Sequence, residues 1–449
     1  MINSAIVWTE PELRFKLGIQ ETIIDPKVGL SLHGPLDFNT KRRRFSEIRL
    51  GVICKEPLRI ISFLKKLNSS FQEKKVGDKK YKGFETIYKV PIRIPSESEV
   101  VQLTDSEINS LYKVWTGNTL KEIVQLYDNK IQEFHDEMRG KYDILVIQIP
   151  KELEKYYLRS FIKVLAIKRG MVTQIITEKT LSSQYVCENM WNLSLGLYVK
   201  AGGVPWQLKD FTDTKSFIGI AYGIKKLQNG QIVFSGLAEI FNEFGEHVSV
   251  VSVSSKAFKE DFTLETDGSY HLSRKKIAVL IRKLIEEYQQ KIGNPPEKVV
   301  LHKTTFFNTS EREGVKDALS EFEITYDLVN VIKNPSLRFF TNEKNPPSRG
   351  TFYKFNDSTG LLYTTGYVGS LGTYPGVGIP KPLEFHRDEG ITGIEKLGKE
   401  ILALTKMDWN NTNIMLREPV TIKYASKIVE ILKAGLQPDE VVKDIRYYI

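Results

Sequence analysis

Apolar and polar positions switch between two periods along the chain, and the switches predict most of its elements. EIRLGVIC (47–54) is a short apolar run of strand type, and IISFLKKLNSSF (60–71) carries helical spacing, so together they predict a strand–helix unit. TLKEIVQLYDNKIQEFHDEM (119–138) repeats apolar residues at i, i+3, i+4 and i+7, which predicts a helix, followed by the strand YDILVIQIP (142–150). YYLRSFIKVLAIKRG (156–170) predicts a second amphipathic helix stopped by Gly170 in a C-cap position, and MVTQIIT (171–177) leads into the next strand. Three such alternations predict a parallel sheet covered by helices.

After Trp191 a helix, NLSLGLYVK (192–200), runs into Ala201-Gly202-Gly203, and a new sheet opens with KSFIGIAYGI (215–224). Strands QIVFSGLAEIF and HVSVVSVSS, helix RKKIAVLIRKLIEEYQQKI (274–292) and strand KVVLHKT (298–304) give a βββαβ order. The expected fold class is therefore α/β, a Rossmann-like domain over residues 46–200 followed by a ribonuclease H-like domain over 201–449. Residues 1–45 mix extended segments with the turn pairs Asp25-Pro26 and Gly34-Pro35 and read as an N-terminal arm. Asn334 to Gly350 reads as a loop.

Composition adds constraints. At 449 residues the chain exceeds one ordinary core, and 41% hydrophobic with 27% charged residues is globular composition rather than disordered. No apolar run approaches the roughly 18 residues of a membrane span, and MINSAIVWTEPELRF lacks the order of a signal peptide, so the expectation is a soluble, cytoplasmic protein. Cys54 and Cys187 stand far apart, and the six histidines, among them His135, His302 and His386, form no HExxH pair, so neither a disulfide framework nor a zinc motif is indicated. Lys and Arg outnumber Asp and Glu by 64 to 55, which favours a polyanionic partner. Lys41–Arg44 and the basic stretch Lys74–Lys82, with Phe45, Tyr81 and Phe84 beside them, fit a nucleic-acid groove; each taken singly also fits a solvated loop.

NLSLGLYVKAGGVPWQL (192–208) is more specific. It resembles the Asn-x7-Lys-x-Gly-Gly-x-Pro-Trp junction of Argonaute and Piwi proteins, with IGIAYG following at the family's distance. GTYPGVGIPKPLEF (372–385) and WNNTNIMLREPVTIKYASKI (409–428) resemble the C-terminal half of a PIWI domain. The resemblance covers about residues 140–430 and implies a MID domain joined to a PIWI domain. With no PAZ domain visible, it implies a short prokaryotic Argonaute.

That resemblance carries a site with it. The guide 5′-phosphate pocket of the family falls on Arg159, Lys163, Gln174, Asn192 and Lys200. Arg159 and Lys163 are one helical turn apart and face the same way, and charge-assisted hydrogen bonds from such cations distinguish a phosphate from a hydroxyl end. The family usually places Tyr or His where Arg159 stands; Tyr156 or Tyr157 is the alternative source of a ring for stacking on the first base. The family's terminal carboxylate, here that of Ile449, helps hold a divalent ion, Mg2+, against the guide.

The same resemblance implies lost cleavage. Ribonuclease H-like cutting aligns metal ions with several carboxylates, and the corresponding positions hold Ala221, Thr304 and Ser426. The competing reading is a metal-dependent nuclease with a rearranged site using acids such as Glu239, Asp261 and Asp408; a third is a scaffold that has lost guide binding. For the leading reading the family implies a guide RNA, a single-stranded DNA target, and a heterodimer with an effector subunit. That subunit would carry a PAZ-analogous segment fused to a TIR, sirtuin-like or nuclease domain, in defence against plasmids or phages.

Overall fold

The computed structural model describes residues 5–41, 43–73, 79–113, 119–209, 215–227, 230–240, 247–255, 261–266, 268–340, 344–369, 372–374, 376 and 378–449. The N-terminal arm is woven into the rest of the molecule. Its strand β1 (Ile6–Val7) pairs antiparallel with a strand of the C-terminal sheet, and β2 (Leu13–Arg14) lies between Thr22–Ile23 and Gln207–Leu208. The turn pair Asp25-Pro26 starts a helix, α1 (Pro26–His33). The Asp25 carboxylate accepts from the Lys27 and Val28 amides, and Pro26 fills a position whose N–H would have no partner.

In the first lobe, β3 (Ile48–Cys54) leads into α2 (Pro57–Lys65). Helix α3 (Thr119–Met138) then precedes β4 (Ile144–Ile149), α4 (Arg159–Ile167), β5 (Thr173–Thr177) and α5 (Val186–Lys200). The sheet order is β5-β4-β3-(Ile92–Arg93), with Val100–Gln102 also on β3, and every pairing is parallel. A parallel sheet is covered on both faces. Ile144 and Val146 of β4 accordingly enter one apolar cluster while Leu145 and Ile147 enter another, which is why ILVIQI is almost continuously apolar.

The second lobe holds β6 (Lys215–Leu227), β7 (Gly230–Ile240), β8 (His247–Ser255), α6 (Arg274–Ile292), β9 (Lys298–Lys303), α7 (Thr309–Ser320) and β10 (Thr325–Ile332). Then come β11 (Thr351–Lys354), β12 (Thr359–Leu362), β13 (Leu383–Glu389), α8 (Ile394–Leu404) and α9 (Val420–Lys433). They form a nine-stranded sheet in the order β1-β11-β12-β13-β10-β9-β6-β7-β8, with β6, β9 and β10 mutually parallel. Ile218 and Ile220 of β6 face the cluster of α6, while Phe217 and Ala221 face that of α9. Glycines set how closely α9 sits. A Cβ at Gly219 would lie 2.1 Å from the Thr421 carbonyl oxygen, and one at Gly223 2.3 Å from a Val429 methyl. The spacing Gly-x-x-x-Gly in IGIAYG is thus a floor for helix backbone.

Two expected boundaries move. Helix α4 begins at Arg159 rather than Tyr156, because Tyr157 adopts φ +51° and closes a 3-10 turn over Lys151–Tyr156. Helix α5 begins at Val186, six residues before Asn192, and is buried on nearly all sides between the lobes, as an apolar helix must be.

Candidate nucleic-acid interface

The end of α5, the first turns of α4, strand β5 and helix α9 converge on a cluster of cations. Lys163, one turn into α4, is 1% exposed; its ammonium donates to the Ile449 main-chain oxygen at 2.7 Å and to Tyr447 O at 3.3 Å. Lys200 ends α5, where the helix dipole favours a cation. It is 2% exposed and donates to Gln174 Oε1 on β5 at 2.8 Å, while Gln174 Nε2 donates to Ile175 O at 3.0 Å. Arg159 lies at the exposed rim. The structure therefore brings Arg159, Lys163, Gln174, Lys200 and Ile449 together.

Asn192 is placed differently. Its Oδ1 accepts from the Thr412 amide at 2.9 Å and the Thr412 hydroxyl at 3.0 Å, so that oxygen anchors the 408–413 loop of the second lobe instead of reaching into the cluster. That loop supplies a group the sequence did not reveal. A Cβ on Gly196 would lie 3.0 Å from Asn410 Oδ1 and 3.5 Å from both Gln174 Oε1 and Lys200 Nζ. Gly196 is thus the bare floor where these groups meet, and its position four residues before Lys200 on the same helix face was the available signal.

Lys427 of α9 is the second residue missed. It is half-buried, and its charge acts on both Lys163 and Lys200. Burial, then the charges of Arg159 and Lys427, push Lys200 down to about 7 against the opposing pull of Asp408. Burial, with Lys200, Arg159 and Lys427 adding to it, holds Lys163 well below the ordinary lysine range. Asp408 is no free counter-ion: it is buried, paired with Lys423, and accepts from Tyr424 Oη at 3.2 Å. Among the described residues, Arg159, Lys163, Lys200 and Lys427 thus face two acids, Asp408, which Lys423 already engages, and the exposed Glu430.

Of the two candidate rings, Tyr156 is half-buried with Lys155 Nζ 5.1 Å over it, whereas Tyr157 is 87% exposed. Within the N-terminal basic cluster Lys41 and Arg44 are exposed, whereas Arg43 serves the fold. Arg43 is packed over Phe38, Phe45 and Tyr198 and donates to Tyr88 O, Lys89 O and Tyr198 Oη; Tyr81 and Phe84 are core residues. Arg42 and residues 74–78 lie outside the described residues.

A magnesium ion does not fit the cluster's own residues. The Ile449 oxygen already accepts from Lys163 and Gln174 Oε1 from Lys200, with further cations around them. Among the described residues no group of three or more His, Cys, Asp or Glu is placed to hold a metal.

At the other expected site, Ala221 and Thr304 follow the paired residues Ile220 and Lys303 of β6 and β9, and Ser426 lies on α9 where that helix crosses β6 and β7. Just before Thr304, Lys303 turns inward to the Glu311 carboxylate, which also bonds His271 Nδ1 at 2.9 Å and Tyr222 Oη at 2.6 Å. Asp261 pairs with Lys276 at 3.2 Å, and the Glu239 side chain lies outside the described residues.

A Piwi domain model matches residues 144–437, well over half of the chain. The chain belongs to the Argonaute/Piwi family. Argonaute of Aquifex aeolicus is 24% identical over 98% of this chain and 56% of its own length. Among solved structures, Clostridium butyricum Argonaute bound to a guide DNA and a 19-mer target DNA superposes with TM-score 0.73 at 19% identity, over 99% of this chain and 55% of that one. Drosophila Piwi gives TM-score 0.66 at 15% identity, over 99% of this chain and 56% of that chain. The mixed α/β fold is the Argonaute one, and this Argonaute-like chain spans little more than half the length of these relatives. Among the described residues no helix is long and apolar enough to cross a membrane.

Proposed function

We propose that this Argonaute-like chain binds a guide strand by its 5′ phosphate in the Arg159–Lys163–Gln174–Lys200 cluster and finds complementary strands by base pairing without cutting them. The carrying observation is the pair of almost fully buried lysines, Lys163 and Lys200, brought from different helices to one place with too little anionic charge of their own. Unbalanced buried charge is costly, and a terminal phosphate carrying up to two charges offsets that cost where a hydroxyl end does not. Ala221, Thr304 and Ser426 supply a methyl and two hydroxyls where metal-dependent cleavage uses carboxylates, so target recognition has to be read out elsewhere. The reading is a short, MID–PIWI Argonaute of the cytoplasm that holds an RNA guide, pairs with single-stranded DNA and activates an effector subunit in prokaryotic defence.

The test is anisotropy with labelled RNA guides ending in a 5′ phosphate or a 5′ hydroxyl. The wild-type chain is expected to prefer the phosphate at least tenfold, and Lys163→Ala with Lys200→Ala to lose that preference, each charged hydrogen bond contributing about 1.5–3 kcal/mol. Equal affinity for both ends in the wild type overturns the reading.

A further inference from the structure

We propose that a cavity between the N-terminal arm and α8 is a second binding site, for a small amphipathic anion with an apolar body, an N–H donor and one anionic head. The cavity encloses about 990 Å3, at the upper end for small-molecule sites. Val7, Trp8 and Pro11 of the arm form one wall and α8 another, while Leu208, Phe217 and Leu402 lie buried on its floor. Roughly thirty waters at about 30 Å3 each would fill such a volume. Against these side chains they are poorly bonded, so an apolar body that displaces them is favoured. The walls are preset. The Trp8 ring stacks on Phe352 with centroids 4.4 Å apart, and Gly398 leaves room for it, because a Cβ there would lie 2.7 Å from that ring. Preorganised walls lower the cost of binding. On β6, Phe217 stands four residues before Ala221, about 13 Å at strand spacing, which separates the cavity from the position where a cleavage carboxylate is missing.

The polar lining groups specify what the apolar body carries. Each acid already faces a cation: Glu10 faces Arg349 and Lys406, Glu12 faces Lys209, and Glu400 faces Lys215 at 3.3 Å. Lys396 and Lys399, both exposed and one turn apart on α8, therefore make the mouth net positive, and Lys399 Nζ stands 5.8 Å over the Trp8 ring. An anionic head placed at these two ammoniums makes charge-assisted hydrogen bonds. Glu400 adds a second contact. Its side chain is 11% exposed, and its Oε2 is buried with no hydrogen-bond partner among the described residues; burial pushes the carboxyl up despite Lys215 and Lys396. A buried acceptor without a donor is costly, and a ligand N–H removes that cost. N-acylated amino acids combine all three features. Because the arm supplies a wall, such a ligand also fastens the arm to α8.

The experiment titrates the full chain by calorimetry with N-octanoylglycine and with its uncharged counterpart, N-octanoylglycinamide. One-to-one binding of the acid is expected, about tenfold tighter than the amide, and Lys396→Gln with Lys399→Gln should bring the acid down to the level of the amide. Octanoyloxyacetate, in which oxygen replaces the N–H, should bind several-fold more weakly than octanoylglycine. Gly369→Phe sets a ring in the mouth at a position where a Cβ meets nothing within 4 Å, so this variant should keep its melting midpoint and bind neither probe. Two readouts locate the ligand: octanoylglycine should shift the tryptophan emission of the wild type but not of Trp8→Phe, and it should slow proteolysis of the arm. Failure of both probes to bind, equal affinity for acid and amide, or binding that survives Gly369→Phe overturns the inference.

Discussion

Lys200 makes the pocket's acid–base behaviour testable. In the free chain burial and the charges of Arg159 and Lys427 push it down to about 7, with Lys163 beside them and Asp408 opposing. A bound phosphate favours the ammonium and raises that value, so binding takes up a proton above neutrality. The part of the affinity that depends on the phosphate is therefore full below about pH 7 on the lysine side and falls as pH rises beyond it. On the acid side the phosphate loses its second charge near about pH 6. The preference for a phosphorylated guide should peak between these values while the hydroxyl guide varies little, as titrations across this range would read. Stability of the free chain moves the other way: its folded lysine value lies below the unfolded one, so the unfolded chain binds more protons above pH 7 and Lys200 contributes rising stability there. A phosphate preference that grew between pH 7 and 9 would sink this account.

At the scale of elements, the contact of α9 on β6 depends on a missing side chain. Gly219→Ala puts a methyl 2.1 Å from the Thr421 carbonyl oxygen, backbone that has no rotamer with which to yield. The expected loss is about 3 kcal/mol, at the upper end for overpacking, read as a lower urea midpoint. Gly369→Ala, with nothing within 4 Å, serves as the neutral control. Helix α3 was legible from residue 119 to 138 because its apolar stripe persists over five turns. Helix α1 was not: eight residues with a glycine inside carry too little periodicity, and Asp25-Pro26 signals a turn as well as a cap. The site divided similarly. Arg159, Lys163, Gln174 and Lys200 stand in motifs with fixed spacing, whereas Asn410 and Lys427 arrive from a lobe more than two hundred residues away, and nothing local marks them. Asn192 belongs to the motif, yet its oxygen holds the Thr412 loop, a distinction between ligand and support that spacing cannot make.

At the scale of the molecule, the N-terminal arm is fastened to the second lobe by charge as well as by β-pairing. Glu10 bridges Arg349 and Lys406, whose side chains are 1% and 0% exposed; nearby, the Trp8 amide donates to the Gly350 carbonyl at 3.0 Å and the Pro11 carbonyl accepts from the Lys406 ammonium at 2.7 Å. Burial alone would raise the Glu10 carboxyl, but Arg349 and Lys406 more than offset it and hold it below the usual range. With a depressed folded value, its contribution is present above the unfolded glutamate range near about pH 4 and lost as pH falls through the folded one. Glu10→Ala leaves two buried cations without their carboxylate and should cost about 3–5 kcal/mol near neutrality. Lys406, already pushed down to about 8 chiefly by burial with Glu10 pulling the other way, drops further in the variant and sheds its proton there, so the deficit should narrow as pH rises toward and through that value. Urea denaturation of wild type and Glu10→Ala at pH 7 and pH 9 checks both statements. If the arm unfolds with the sheet it edges, the variant shows one transition at a lower midpoint, and proteolysis between residues 15 and 25 accelerates in step with it. An unchanged midpoint with fast cleavage of the arm would mean instead that β1 and β2 detach separately, and that the second lobe's sheet holds without them.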